Sequence, residues 1–69
     1  MLPNPANHNP APAYLRALVS KTGLSQRGCA RALGVSERSF RYWLRGKPPI
    51  PYAAQYALEQ LALNPHASG

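Results

Sequence analysis

Acidic side chains are almost absent from this sequence: Glu37 and Glu59 are the only carboxylates among 69 residues, against eight lysines and arginines. Two carboxylates 22 positions apart leave no pair for acid–base work and no set for a two-metal centre, so the chain is expected not to be an enzyme. Cysteine is limited to Cys29, which excludes an intrachain disulfide and a thiolate metal cluster. It falls at an apolar helical position and reads as a small core hydrophobe rather than a reactive thiol. Histidine is limited to His8 and His66 near the two ends. With no neighbouring Cys, Asp or Glu, neither reads as a metal ligand. No apolar run approaches the ~20 residues of a spanning helix, so no membrane partner is expected. No basic segment followed by an apolar one opens the sequence, so no secretory signal is expected and a reducing cytoplasm fits.

A chain of 69 residues accommodates one small domain. At that size buried apolar surface barely offsets chain entropy, and pairing with a second copy is a common remedy. A cleft that encloses a cofactor is not expected, and no small-molecule site is evident.

What the chain does have is positive charge in one place. The formal charge is +6 and the isoelectric point about 10.3, and every lysine and arginine lies between Arg16 and Lys47. A concentrated positive field attracts polyanions, and phosphate neutralisation with counterion release supplies most non-specific DNA affinity. Charge alone fits a solvated basic surface equally well. Its clustering around residues 26–46 tips the balance towards nucleic acid.

The pattern along the chain is all-α, with no strand signal and no repeat. Residues 1–11, MLPNPANHNPA, hold three prolines and three asparagines without a charged side chain. Such a composition cannot bury enough apolar surface to order itself. It also lacks the Arg and Lys of minor-groove arms. Residues 1–11 are therefore expected to be a disordered leader and 64–69 a disordered tail, which leaves 12–63 as the folded domain.

Within it, a first helix is expected over 12–22, with proline in its first turn, Gly23 at its end, and Leu15, Leu18, Val19 and Thr22 on one face. Ser25 reads as the N-cap of a second helix over 26–33, with Cys29, Ala30 and Leu33 inward and Arg27 and Arg31 outward. Gly34 ends it. Ser36 then caps a third helix over 37–45, and Glu37 in its first turn suits the helix dipole. Phe40, Trp43 and Leu44 supply its apolar stripe. Lys47-Pro48-Pro49-Ile50-Pro51 is a stiff connector, because each proline fixes φ. A fourth helix is expected from Pro51 to Leu63, stopped by Asn64-Pro65. Its buried stripe is read as Ile50, Ala54, Ala57, Leu58 and Leu61, with Tyr52, Tyr56 and Leu63 outside it.

The second and third helices with their tight Gly34-Val35-Ser36 turn have the layout of a helix-turn-helix, whose second helix enters a DNA major groove. Ala30 must be small where the helices cross. Val35 and Phe40 fill the wedge between them, and Trp43 anchors the third helix. The outward face is then Glu37, Arg38, Arg41, Tyr42 and Arg45.

The segment GLSQRGCARALGVSERSFRYWLRG resembles the helix-turn-helix core of the Cro/lambda-repressor-like (XRE) family, with its LTQ…A…LGVS…W…G pattern and no gap. The matching residues are Leu24, Gln26, Ala30, Leu33, Gly34, Val35, Ser36, Trp43 and Gly46. Phe40 stands where Ile or Val is usual and Cys29 where Leu is usual, and both departures keep the position apolar. The first and fourth helices extend the likeness to residues 12–63, which implies a small four-helix lambda-repressor-like domain.

The resemblance also implies roles. Gln26 matches a glutamine that bonds a phosphate and braces the recognition helix. Glu37, Arg38 and Ser39 match first-turn positions that face bases, and Tyr42 matches a base-facing position one turn on. Arg41 lies beside them, within reach of a base edge or a phosphate. Arg45, Lys47 and the start of the fourth helix match the phosphate-contacting region that follows. Ser36 is placed with the phosphate-facing residues. The chemistry of the side chains agrees: Arg38 can bond guanine O6 and N7 together, Glu37 can accept from cytosine N4, and Tyr42 can pack on a thymine methyl. Glu37 fits equally well as a purely structural helix-start charge. Arg27 and Arg31 are expected near the backbone, setting register rather than sequence.

These readings lead to one expectation: a sequence-specific, double-stranded DNA-binding transcriptional regulator that places residues 37–45 in the major groove. It is expected to be a homodimeric (auto)repressor on an inverted-repeat operator, with Tyr52, Tyr56 and Leu63 at the dimer surface. A phage or mobile-element origin fits, since short stand-alone relatives include Cro-like repressors and anti-CRISPR-associated autoregulators. PPIPYAAQYALEQLA is similar to compact regulators of the latter sort. No sensory or protease-like domain is visible. The alternative is the antitoxin of a toxin–antitoxin pair, binding operator and toxin; the short uncharged tails count against it.

Overall fold

The computed structural model describes residues 7–64. His66 and the greater part of the expected tail lie outside them, as do residues 1–6 of the expected leader. Four helices follow one another: α1 (Pro12–Thr22), α2 (Gln26–Leu33), α3 (Glu37–Arg45) and α4 (Tyr52–Leu63). No strand occurs among the described residues.

Local chemistry sets the boundaries. Pro12 opens α1, where a missing N–H costs nothing. The hydroxyl of Ser25 accepts from the Gly28 N–H at 2.9 Å, and that of Ser36 from the Ser39 N–H at 3.0 Å, each satisfying a first-turn donor that has no partner in its own helix. Gly34, with φ +74°, turns the chain between α2 and α3 in the left-handed region that a Cβ would disfavour. Its neighbour Val35 then donates to the Ala30 carbonyl at 3.0 Å and closes the turn. Gly46 (φ +86°) ends α3 in the same way, and a Cβ there would also stand 3.2 Å from Pro12 Cγ. The Lys47–Pro48 peptide is cis. Helix α4 begins one residue later than the spacing predicts, with Pro51 as an extended N-cap whose carbonyl accepts from Gln55.

All four helices and the connector contribute to one core of Leu15, Leu18, Cys29, Ala30, Phe40, Leu44, Ile50 and Leu58. Burying apolar surface at about 25 cal/mol per Å² is the main force that holds so short a chain together. Trp43 packs against this core half-buried, edge-on to Phe40 with ring centroids 6.3 Å apart. Cys29 is fully buried beside Thr22, Sγ to Oγ1 3.4 Å. The Thr22 hydroxyl proton goes to the Val19 carbonyl at 2.6 Å, which leaves the Cys29 thiol as the donor between the two.

The buried face of α4 departs from the expected stripe. Ile50 and Leu58 are buried, but Ala54, Ala57 and Leu61 are only half-buried, and the polar Gln55 is fully enclosed. Gln55 is tolerable there because its amide is satisfied: Oε1 accepts from the Asn9 N–H at 2.8 Å, and Nε2 donates to the Asn7 carbonyl at 3.0 Å and to Glu59 Oε2 at 3.1 Å. Residues 7–9, the described end of the expected leader, thus lie against α4. A His8 ring nitrogen bonds the Ile50 carbonyl at 2.6 Å and the ring stands edge-on to Tyr52.

Candidate nucleic-acid interface

Helix α3 buries Phe40 and Leu44. At 100° per residue, fixing those two inward turns positions 38, 42 and 45 to the opposite side and 41 to the flank, while 37 falls about 40° from the centre of the buried stripe. Glu37, Arg38, Arg41, Tyr42 and Arg45 all line one open groove, the set that the sequence reading names. Arg38, Arg41, Tyr42 and Arg45 are exposed and Glu37 is half-buried.

Charge within the groove is three guanidinium groups against one carboxylate. That carboxylate is engaged: Glu37 and Arg41, one turn apart, form an ion pair. Arg38 Nε approaches the Tyr42 hydroxyl at 3.4 Å, the long edge of hydrogen bonding. The two pairs are offset by a single residue, and both join the first turn of α3 to the second. A contact this exposed gives way readily to a better acceptor.

The other predicted residues separate into groups. Ser39 does not line the groove; its N–H and hydroxyl both meet the Ser36 hydroxyl at 3.0 Å in the helix cap. Ser36 is exposed but committed to that cap. Arg27 and Arg31 of α2 share a neighbouring depression with Glu37, Ala30 and Val35. Gln26, at the first position of α2, shares another with Arg41, Arg45 and Leu44. Lys47 is exposed just past α3, and its N–H donates to the Tyr42 carbonyl at 3.2 Å. Tyr52, Tyr56 and Leu63 stand apart from all of these on α4, the tyrosines half-buried with rings 6.4 Å apart and Leu63 72% exposed.

Two residues escaped the sequence reading. Arg16 of α1 joins Gln26, Arg41 and Arg45 around their shared depression. Its only signal in the sequence is a position off the apolar stripe of its helix. Tyr14 donates a hydrogen bond to the Glu59 carboxylate on α4, and no local pattern announces it.

Among the described residues, no three histidine, cysteine, aspartate or glutamate side chains are grouped to hold a metal ion. No helix is long and apolar enough to cross a membrane. A family model described as a helix-turn-helix domain matches residues 13–62, a span that holds all four helices but for the first residue of α1 and the last of α4. No curated protein matches the chain.

Proposed function

From the premise that the chain belongs to this helix-turn-helix family, we propose that it is a sequence-specific regulator of transcription that binds double-stranded DNA through α3. The observation that carries this reading is the division of α3 into two faces. Phe40 and Leu44 hold it to the core while Arg38, Arg41, Tyr42 and Arg45 stand together in solvent. The B-form major groove, about 12 Å wide, admits such a helix, whereas the deep, narrow major groove of A-form RNA does not. Base edges fall to Arg38, Arg41 and Tyr42, with Glu37 available for cytosine N4 and Ser39 at the margin. Phosphates fall to Gln26, Arg27, Arg31, Ser36, Arg45 and Lys47, which give affinity without choice.

The finer part of the proposal is a homodimer that represses by occupancy. Leu63 is a large apolar side chain left 72% exposed. It lines a groove with Tyr52, Tyr56, Leu18 and Ala62, whose polar wall includes Lys21 and Glu59. A two-fold axis through α4 would set two recognition helices about 34–36 Å apart and match an inverted repeat.

The test is selection of bound duplexes from a random pool. The expected product is an inverted repeat with half-sites one helical turn apart. Recovery of no duplex overturns the DNA-binding reading, and recovery of a lone half-site overturns the dimer.

A further inference from the structure

Arg16 lies on the first helix, outside the helix-turn-helix pair, yet it faces the same space as residues of that pair. It lines a shallow depression with Gln26 of α2 and Arg41 and Arg45 of α3. Three arginines from two helices line it, and no carboxylate does. Glu37, which neutralises Arg41, lines the neighbouring depression with Arg27 and Arg31 instead. Gln26 adds an amide side chain and the positive end of α2. In that first turn the Gly28 N–H is taken by Ser25, whereas the Gln26 N–H has no acceptor within its helix.

Forked donors around a small concavity suit a tetrahedral oxyanion better than a flat base edge. The depression also shares Arg41 and Arg45 with the groove of α3. An anion seated in it is therefore adjacent to whatever that groove reads.

We propose that Arg16, with Gln26 and Arg45, clamps one backbone phosphate of duplex DNA next to the bases faced by α3, so that the first helix fixes how deeply the recognition helix sits. This rests on the DNA-binding reading above. It assigns the phosphate contact to a helix that the motif does not include.

The test compares Arg16→Gln, which removes the charge but keeps much of the stem, and Arg16→Lys, which keeps the charge, with the unaltered protein. Binding is measured on the selected duplex and on an unrelated duplex of equal length, from about 50 to about 200 mM salt. Arg16→Gln should weaken both duplexes by the same factor. Its slope of log Kd against log salt should be shallower by about 0.9, the share of one phosphate, so its deficit should shrink about 3.5-fold across that range. Arg16→Lys should keep the slope. Arg38→Ala should weaken the selected duplex by a larger factor than the unrelated one. An Arg16→Gln protein with unaltered affinity and slope overturns the clamp and leaves DNA binding intact. A loss confined to the selected duplex also overturns it, because Arg16 would then read a base. Failure of the unaltered protein to bind any duplex overturns both proposals.

Discussion

The Tyr14 hydroxyl donates a hydrogen bond to the Glu59 carboxylate, joining α1 to α4 across 45 positions of sequence. The same carboxylate oxygen accepts from Gln55 Nε2 at 3.1 Å. One of only two acidic residues in a strongly basic chain is thus used to hold the domain together. The other, Glu37, is paired with Arg41 on α3.

The Tyr14 bond makes a prediction about alkaline stability. Donation to Glu59, then burial and the nearby negative charge, push the Tyr14 pKa from 10.0 up to about 12. The protonated hydroxyl is the form that the fold favours. Its contribution is complete below about pH 10 and is lost as pH rises to about 12, because the unfolded chain ionises first. Thermal unfolding should show Tyr14→Phe less stable than the unaltered protein at neutral pH, by about 1 kcal/mol. That gap should close between about pH 10 and 12, whereas a constant gap would contradict the linkage.

Gln55 is the buried polar group on which the N-terminal segment depends. Replacing it with alanine removes the acceptor of the Asn9 N–H and the donor to the Asn7 carbonyl and opens a cavity in α4. The expected loss is about 1–3 kcal/mol by urea unfolding. Hydrogen exchange at the Asn9 amide should accelerate well beyond that loss of global stability. Unchanged exchange would mean that residues 7–9 are held by something else.

If the groove of α3 is the proposed interface, substitutions in it should separate reading from affinity. Arg38→Ala should cost ~1–3 kcal/mol on the selected duplex and flatten preference at one base pair. An equal loss on all sequences would remove Arg38 from base reading. Glu37→Gln should act in the opposite sense on unrelated DNA. It frees Arg41 and removes a charge that repels phosphate, which should tighten non-specific binding by about 0.2–1 kcal/mol. Competition binding in fixed salt measures both, and weaker non-specific binding by Glu37→Gln would refute the role given to the ion pair.

The α4 surface is tested by the oligomeric state. Leu63→Asp and Tyr56→Asp should each convert the proposed dimer into a monomer with weak binding to the inverted repeat. Light scattering on the free proteins reads this directly, and an unchanged dimer mass in both would place the contact elsewhere.

Most of the fold follows from neighbours in sequence. Leu15, Leu18 and Thr22 are buried at the spacing that marks a helix face. Ser25 and Ser36 cap as serine ahead of an apolar period should, and Gly34 and Gly46 stop helices where a positive φ is needed. The outward face of α3 is legible for the same reason, since Arg38, Tyr42 and Arg45 are what remains once Phe40 and Leu44 turn inward. The stripe on α4 was less well read. Gln55 falls outside the apolar pattern because a polar residue is buried only when its partners arrive, and beside the local Glu59 those partners are Asn7 and Asn9, more than forty positions away.

Residue order and helical periodicity alone settle four helices, a turn at Gly34 and a basic outward face on α3, because each depends on contacts within a few residues. The packed fold decides the rest. It spends one carboxylate on Tyr14 and Gln55 and pairs the other with Arg41, draws residues 7–9 onto α4, and brings Arg16 beside Gln26 and Arg45. Most of these meetings are between residues distant in sequence, where no local period carries information and only the docking of helix on helix selects the partners.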